Sequence, residues 1–226
     1  MLDTQIFNKF VILKNCLLIM NINIFNKIRY YRWCIIGRIR IKKQIRACYL
    51  KKEKVKITVG SFHHDYKGWI KTDLPHFDLL NEKHWAYFFE STPPDNILAE
   101  HVMEHFTIEE ASKVFKLAYI YLNKGGIFRI AVPDGLNNYA GYVDSVKPNG
   151  TGIGCEGHKT LWDVYSLSKA LEDVGFKVVL QEYYDDKHDL HTNNFDLDNG
   201  FIARSINKGV PDLEAGYSSL IIDAIK

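Results

Sequence analysis

The stretch LAEHVMEHFT, residues 98–107, holds two histidines four positions apart in the pattern H-x-x-E-H, and its local structure decides the architecture around it. On one continuous helix His101 and His105 would face the same side and could share a metal ion. The flanking residues point elsewhere. The apolar NILA at residues 96–99 reads as a strand. Thr107, followed three residues later by Glu110, is a capping box that places a helix start near Ile108. The stretch is therefore expected as strand, turn and helix, an arrangement in which the two imidazoles lose their shared face. No downstream acidic helix supplies a third ligand, so a zinc peptidase site is the least favoured reading and no metal is expected.

Working outward, the same alternation continues on both sides. TIEEASKVFKLAYIYL carries Val114, Leu117, Ala118 and Tyr121 on one helical stripe, and Lys124, Gly125 and Gly126 stop it. IFRIAVPD is a strand ended by Pro133. WDVYSLSKALEDVGF is a helix stopped at Gly175, and FKVVLQEYYD and YSSLIIDAI are strands separated by a polar loop. Upstream, VKITVG is a buried strand ending in Gly60, and GWIKTDL is a second with Asp73 at its carboxyl end. NEKHWAYFFE is a helix with Trp85, Phe88 and Phe89 on one face. This order predicts an α/β fold: a doubly wound, mostly parallel sheet covered on both faces. Ligands of such sheets sit beyond the carboxyl ends of the strands, where the strand order reverses. Gly60, Asp73, Glu100 and Pro133 should then line one crevice.

The chain of 226 residues, 46% hydrophobic, is long enough for one good core and a modest appendage. We expect a domain over residues 53–226 and a basic, helical extension over 1–52. Charge separates the two: residues 1–56 carry 14 Lys and Arg against 2 acids, the remainder 15 against 25. The apolar run FVILKNCLLIMNINIF is too short and polar for a membrane span, and no small-residue cleavage site follows it. Its neighbour RYYRWCIIGRIRIKKQIR is expected to pack on the domain with its cations outward. The alternative is a peripheral anchor at an anionic membrane or a nucleic-acid contact, of which only the membrane is retained. Met20 is a candidate native start. Cys16, Cys34, Cys48 and Cys155 have no C-x-x-C spacing, which suits free thiols in a cytoplasmic protein.

Taken together, VKITVG, GWIKTD, AEHVMEH, LNKGGIFRIAVPD and the late GF resemble, in order and spacing, the class I S-adenosylmethionine-dependent methyltransferases, particularly the type-11 domain proteins found beside glycan-assembly enzymes. The resemblance runs from about Val55 to Lys226 and implies a Rossmann-like fold, S-adenosylmethionine as cofactor and a small-molecule acceptor, a saccharide or glycan precursor by association. It implies that Gly60 and Ser61 approach the methionine part of the cofactor, that Asp73 accepts from the ribose hydroxyls, and that Asp78 receives the adenine amino group. Glu100 and the turn at His101 would meet the cofactor's amino group. Ser61 and Phe62 stand where the family has small residues and a further glycine, which motivates a second reading, a fold-retaining scaffold without catalysis.

On the acceptor side, His101 titrates near neutral pH and can take a hydroxyl proton, or it can simply hydrogen-bond the turn. Asp134 and His158 are further candidates there, and Glu104 and His105 are expected to orient the helix start. His63, His64 and Asp65 read as a solvated loop. KPNGTGIGCEG lacks a preceding strand and G-K-[ST], so it is expected to be a mobile loop over the site and not a phosphate loop.

Overall fold

The computed structural model describes residues 24–61, 66–152, 154–206 and 218–226. Its elements are α1 (Ile24–Leu50), β1 (Lys56–Val59), β2 (Ile70–Lys71), α2 (Glu82–Phe89), β3 (Asn96–Glu100), α3 (Ile108–Tyr121), β4 (Ile127–Pro133), α4 (Tyr142–Val146), α5 (Val164–Glu172), β5 (Lys177–Tyr184), β6 (Leu190–Thr192) and β7 (Ser219–Ile225). Seven strands form one sheet in the order β2-β1-β3-β4-β7-β5-β6. The pairs β2–β1, β1–β3 and β3–β4 are parallel, and β7 enters antiparallel between β4 and β5. This is the expected Rossmann-like, mostly parallel architecture. The short β6, paired antiparallel with β5, falls in the segment read as a polar loop, and β2 is only two residues long, leaving Asp73 in the turn beyond it.

The two faces of the sheet differ. Alternation in the strands turns Ile57, Ile97, Phe128, Ile130 and Ile222 towards α2, α3 and α5, where Trp85, Phe88, Phe115 and Leu167 complete the main core. Trp85, Phe88 and Phe89 are buried as their spacing requires, and Phe77 packs edge-on against all three. On the other face Leu98, Ala131 and Ile221 meet Ile202, Tyr66, Trp69 and Phe195. Among the described residues that face is covered by irregular chain, not by helices.

The second face also holds a buried ion pair that sequence reading missed. Arg129 on β4 donates from Nε and Nη2 to the Asp223 carboxylate on β7, at 2.6 and 2.7 Å. Its Nη1 donates to the carbonyls of Asp196 and Gly200, and Gln181 adds a donor to Asp223. The fork of the guanidinium thereby ties the irregular cover to two adjacent strands.

Helix α1 packs on the β2 edge and on α2. Cys34, Ile41 and Ile45 are buried on one stripe, and Arg38 donates to the carbonyls of Pro75 and His76. A Cβ at Gly37 would collide with the His76 ring, so glycine permits the helix to approach this turn. The segment expected as a mobile loop after α4 is folded back instead: Gly150 N–H bonds the Lys147 carbonyl, Gly152 N–H that of Ser145, and the Cys155 thiol that of Gly150.

Candidate active site

The chain order places the reversal between β1 and β3, since β1 leads to β2 on one side and β3 to β4 on the other. Register aligns the carboxyl ends there, with Val59 opposite Ala99 and Glu100 opposite Ala131. Gly60, Glu100 and His101 therefore stand side by side at the switch point. Gly60 has φ of +60°, and a Cβ on it would lie 2.6 Å from Val102, so both backbone and neighbour require glycine. Ser61 follows, buried, its hydroxyl and N–H both donating to the Thr72 carbonyl. Residues 62–65, including His63, His64 and Asp65, lie outside the described residues, as does Met20.

Asp73 is half-buried at the end of this row, with Oδ1 accepting from the N–H of Leu74 at 2.7 Å. Asp78 lies further along, its Oδ1 accepting from Leu80 N–H in the turn that leads to the Asn81 cap of α2. Glu100 accepts from the Tyr66 hydroxyl at 3.0 Å and from the Arg204 N–H at 3.1 Å. Its carboxylate thus ties the irregular cover of the second face, a partnership no local pattern announced.

The H-V-M-E-H stretch is strand, turn and helix, as its flanks required. β3 ends at Glu100, His101 adopts φ of +54° with its N–H on the Ala131 carbonyl, and Met103–His105 form a single 3-10 turn. The capping box is complete, with Thr107 Oγ1 accepting from Glu110 N–H and Glu110 accepting from Thr107 N–H. What the sequence did not show is how the turn closes on itself and on distant chain.

Glu104 is 1% exposed, and its Oε1 lies 3.1 Å from His101 Nδ1. His101 Nε2 is 3.0 Å from the hydroxyl of Ser219 on β7. The Glu104 carboxylate thus faces Nδ1, and the Ser219 hydroxyl faces Nε2. Burial, and then the Arg204 charge, push the His101 pKa down against the pull of Glu104, so the ring is neutral at neutral pH. Burial opposes ionisation of Glu104, but His101 and His105 outweigh it and hold the carboxyl below its usual value.

His158 completes the group. Lys159 and Thr160 donate backbone N–H bonds to the Glu104 carbonyl, Thr160 Oγ1 donates to Phe106 O, and Trp162 Nε1 to Met103 O. These bonds lace residues 158–162 along the turn and carry the His158 ring to within 5.0 Å of that of His105, edge to face. His158 Nδ1 lies 2.6 Å from the Val146 carbonyl, and its Nε2 is 3.9 Å from Glu104 Oε1.

Asp134 does not join them. It is fully buried, with Oδ1 accepting from Leu136 N–H and Oδ2 from Tyr184 N–H, so it clamps the end of β4 to β5. Burial raises its pKa to about 6. Both oxygens are taken by the backbone, and the expectation of Asp134 on the acceptor side gives way to this framework role. Among the expected site residues the structure thus gathers Gly60, Glu100 and His101 at the switch point and brings His158 to the His101 turn. Glu104 and Ser219 are added; Glu104 was visible in the motif, whereas Ser219, 118 residues from His101, had no local signal.

No family model matches this chain, and no curated protein matches it. Solved structures align with it at low identity. One is a SAM dependent methyltransferase from Archaeoglobus fulgidus, at 16% identity and TM-score 0.47 over 84% of this chain and 94% of that one. Another is a SAM-dependent methyltransferase, possible histamine N-methyltransferase, from Thermotoga maritima, at 12% identity and TM-score 0.43 over 88% and 94%. A third is an O-methyltransferase family protein from Burkholderia thailandensis, at 15% and 0.44, of whose length this chain spans 42%.

Proposed function

We propose that the protein is an S-adenosylmethionine-dependent methyltransferase acting on an oxygen or nitrogen of a small molecule. The observation that carries this reading is the set of groups gathered at the sheet's switch point, the left-handed Gly60 turn on one side and the Glu104–His101–Ser219 line on the other. The chemistry of the residues fits the cofactor: a glycine turn where backbone must come close, and the half-buried Asp73 carboxylate where paired ribose hydroxyls need an acceptor. When bound, S-adenosylmethionine supplies an electrophilic methyl group. His101, neutral, is the group to take the acceptor's proton on Nε2, where the Ser219 hydroxyl now sits. Glu100 serves by holding Tyr66 and Arg204 beside the switch point.

Titration calorimetry with S-adenosylmethionine tests the reading. Binding is expected, and Asp73→Ala should weaken it by the roughly 1.5 to 3 kcal/mol of a charged hydrogen bond. No binding by the intact protein would favour the scaffold reading, which is supported by Ser61 being committed to Thr72 and Glu100 to Tyr66 and Arg204. A screen of nucleotide sugars and small glycans with labelled cofactor is the first search for the acceptor. Free thiols at Cys34, Cys48 and Cys155 suit a cytoplasmic setting.

The N-terminal helix supports peripheral contact with an anionic membrane. Ile28, Tyr31, Ile35 and Ile36 are each more than half exposed, and Arg29, Arg32 and Lys43 are exposed among them. No described helix is long and apolar enough to cross a bilayer. Cosedimentation with phosphatidylserine vesicles, weakened by Ile35→Ser with Ile36→Ser, is the expected outcome; no binding to such vesicles would remove the membrane from the account.

A further inference from the structure

We propose that Glu104, His105 and His158 form a binding site for a divalent zinc ion beside the His101 turn. One ligand atom from each lies within 4.8 Å of the others, close enough for small side-chain rotations to bring them to one ion. Two features, independent of each other, mark the place as built for a cation, and a third holds the His105 ring in place. The Glu104 carboxylate is buried, and neither oxygen has an aligned hydrogen-bond donor, although His101 Nδ1 lies 3.1 Å from Oε1. A buried carboxylate without its full set of donors is costly unless a cation completes it.

The second feature is the tautomer of His158. A carbonyl only accepts, so the 2.6 Å contact with Val146 O places the proton on Nδ1 and leaves the Nε2 lone pair facing Glu104. Fixing one imidazole nitrogen by a backbone carbonyl, so that the other can ligate, is the usual support of a histidine metal ligand. The third is Gly157. A Cβ there would lie 2.8 Å from His105 Nδ1, so only glycine lets the 155–157 turn close over that ring.

Two nitrogens and one carboxylate oxygen suit zinc better than calcium or magnesium, which prefer oxygen alone. Three protein ligands would leave a fourth position open. The site does not rest on the proposed function.

The full-length protein, stripped with a chelator, should take up one zinc ion per chain in calorimetry. Cobalt in its place should give the intense visible bands of a four-coordinate ion. Glu104→Gln and His158→Ala should each weaken zinc by more than the roughly 10- to 100-fold cost of losing a supporting residue. His191→Ala, in the separate His191–Asp185 pair, and His63→Ala with His64→Ala should leave the stoichiometry unchanged. No zinc uptake, a six-coordinate cobalt spectrum, or uptake lost only with His63 and His64, would overturn the site. Should Glu104→Gln fail to fold, His158→Ala and His105→Ala decide, and zinc uptake unchanged in both would overturn the site. Cofactor titration of the stripped protein separates the two proposals: binding without metal keeps the methyltransferase reading whatever happens to the zinc.

Discussion

At Gly60 one residue shapes the turn at the switch point. A left-handed backbone costs an L-residue about 1 to 2 kcal/mol, and the contact with Val102 adds to it. Gly60→Ala is expected to lower stability by at least that much in urea unfolding and to disturb ligand binding at the switch point. Asp134 gives a pH signature. Its folded pKa, raised by burial to about 6, lies above the unfolded value near 3.8, so the carboxyl favours the folded state while protonated. That contribution is complete below about pH 3.8 and is lost as pH rises through about 6. Relative to Asp134→Asn, the wild type should lose roughly 2 to 3 kcal/mol between pH 4 and pH 7, read from urea melts at each pH. A constant difference would show that the clamp titrates normally. His101→Gln should keep cofactor affinity and slow transfer by about 10²- to 10⁴-fold once an acceptor is known; turnover at the wild-type rate would move the proton acceptor elsewhere.

Among the elements, α3 matters most for the site because its first turn anchors the His101–Thr107 turn. Thr107 caps Glu110 N–H, and Glu110 both answers the cap and receives Lys159 Nζ at 2.7 Å. The cap therefore joins α3 to the segment that carries His158. Thr107→Ala should cost about 1 kcal/mol in unfolding. Cofactor binding should fall less than catalysis, because the turn and not the glycine loop loosens. This helix was legible down to its first residue, since capping is a local contest for N–H donors. β6 was not: its three residues have no core-facing alternation, and it exists only because β5 offers an edge.

For the molecule as a whole, Arg129 and Asp223 fasten the irregular cover of the second face. Both are almost fully buried, so removing one partner leaves a charge without compensation. Arg129→Met is expected to destabilise by about 3 to 5 kcal/mol, measured by chemical denaturation. A near-neutral result would mean that the cover packs without the pair. Helix α1 belongs to the same scale: Ile45 is fully buried in the main core, and Ile45→Ala should cost about 2 to 5 kcal/mol if the helix is part of the cooperative core.

The sequence by itself determined what is local in origin. Apolar spacing placed α2, α3 and α5, β-branched runs placed β1, β3, β4, β5 and β7, and the Thr107–Glu110 box forced the turn in H-V-M-E-H that rules out one helix bearing both histidines. Parallel order and the switch point followed from the alternation. The tertiary structure decided which polar groups meet, because those partners come from far along the chain. Ser219 reaches His101 only when β7 inserts beside β4, His158 reaches Glu104 only when residues 158–162 bond to the turn, and Arg129 finds Asp223 only across adjacent strands. A buried donor or acceptor must find a partner wherever the fold supplies one, and sequence spacing carries no record of that choice.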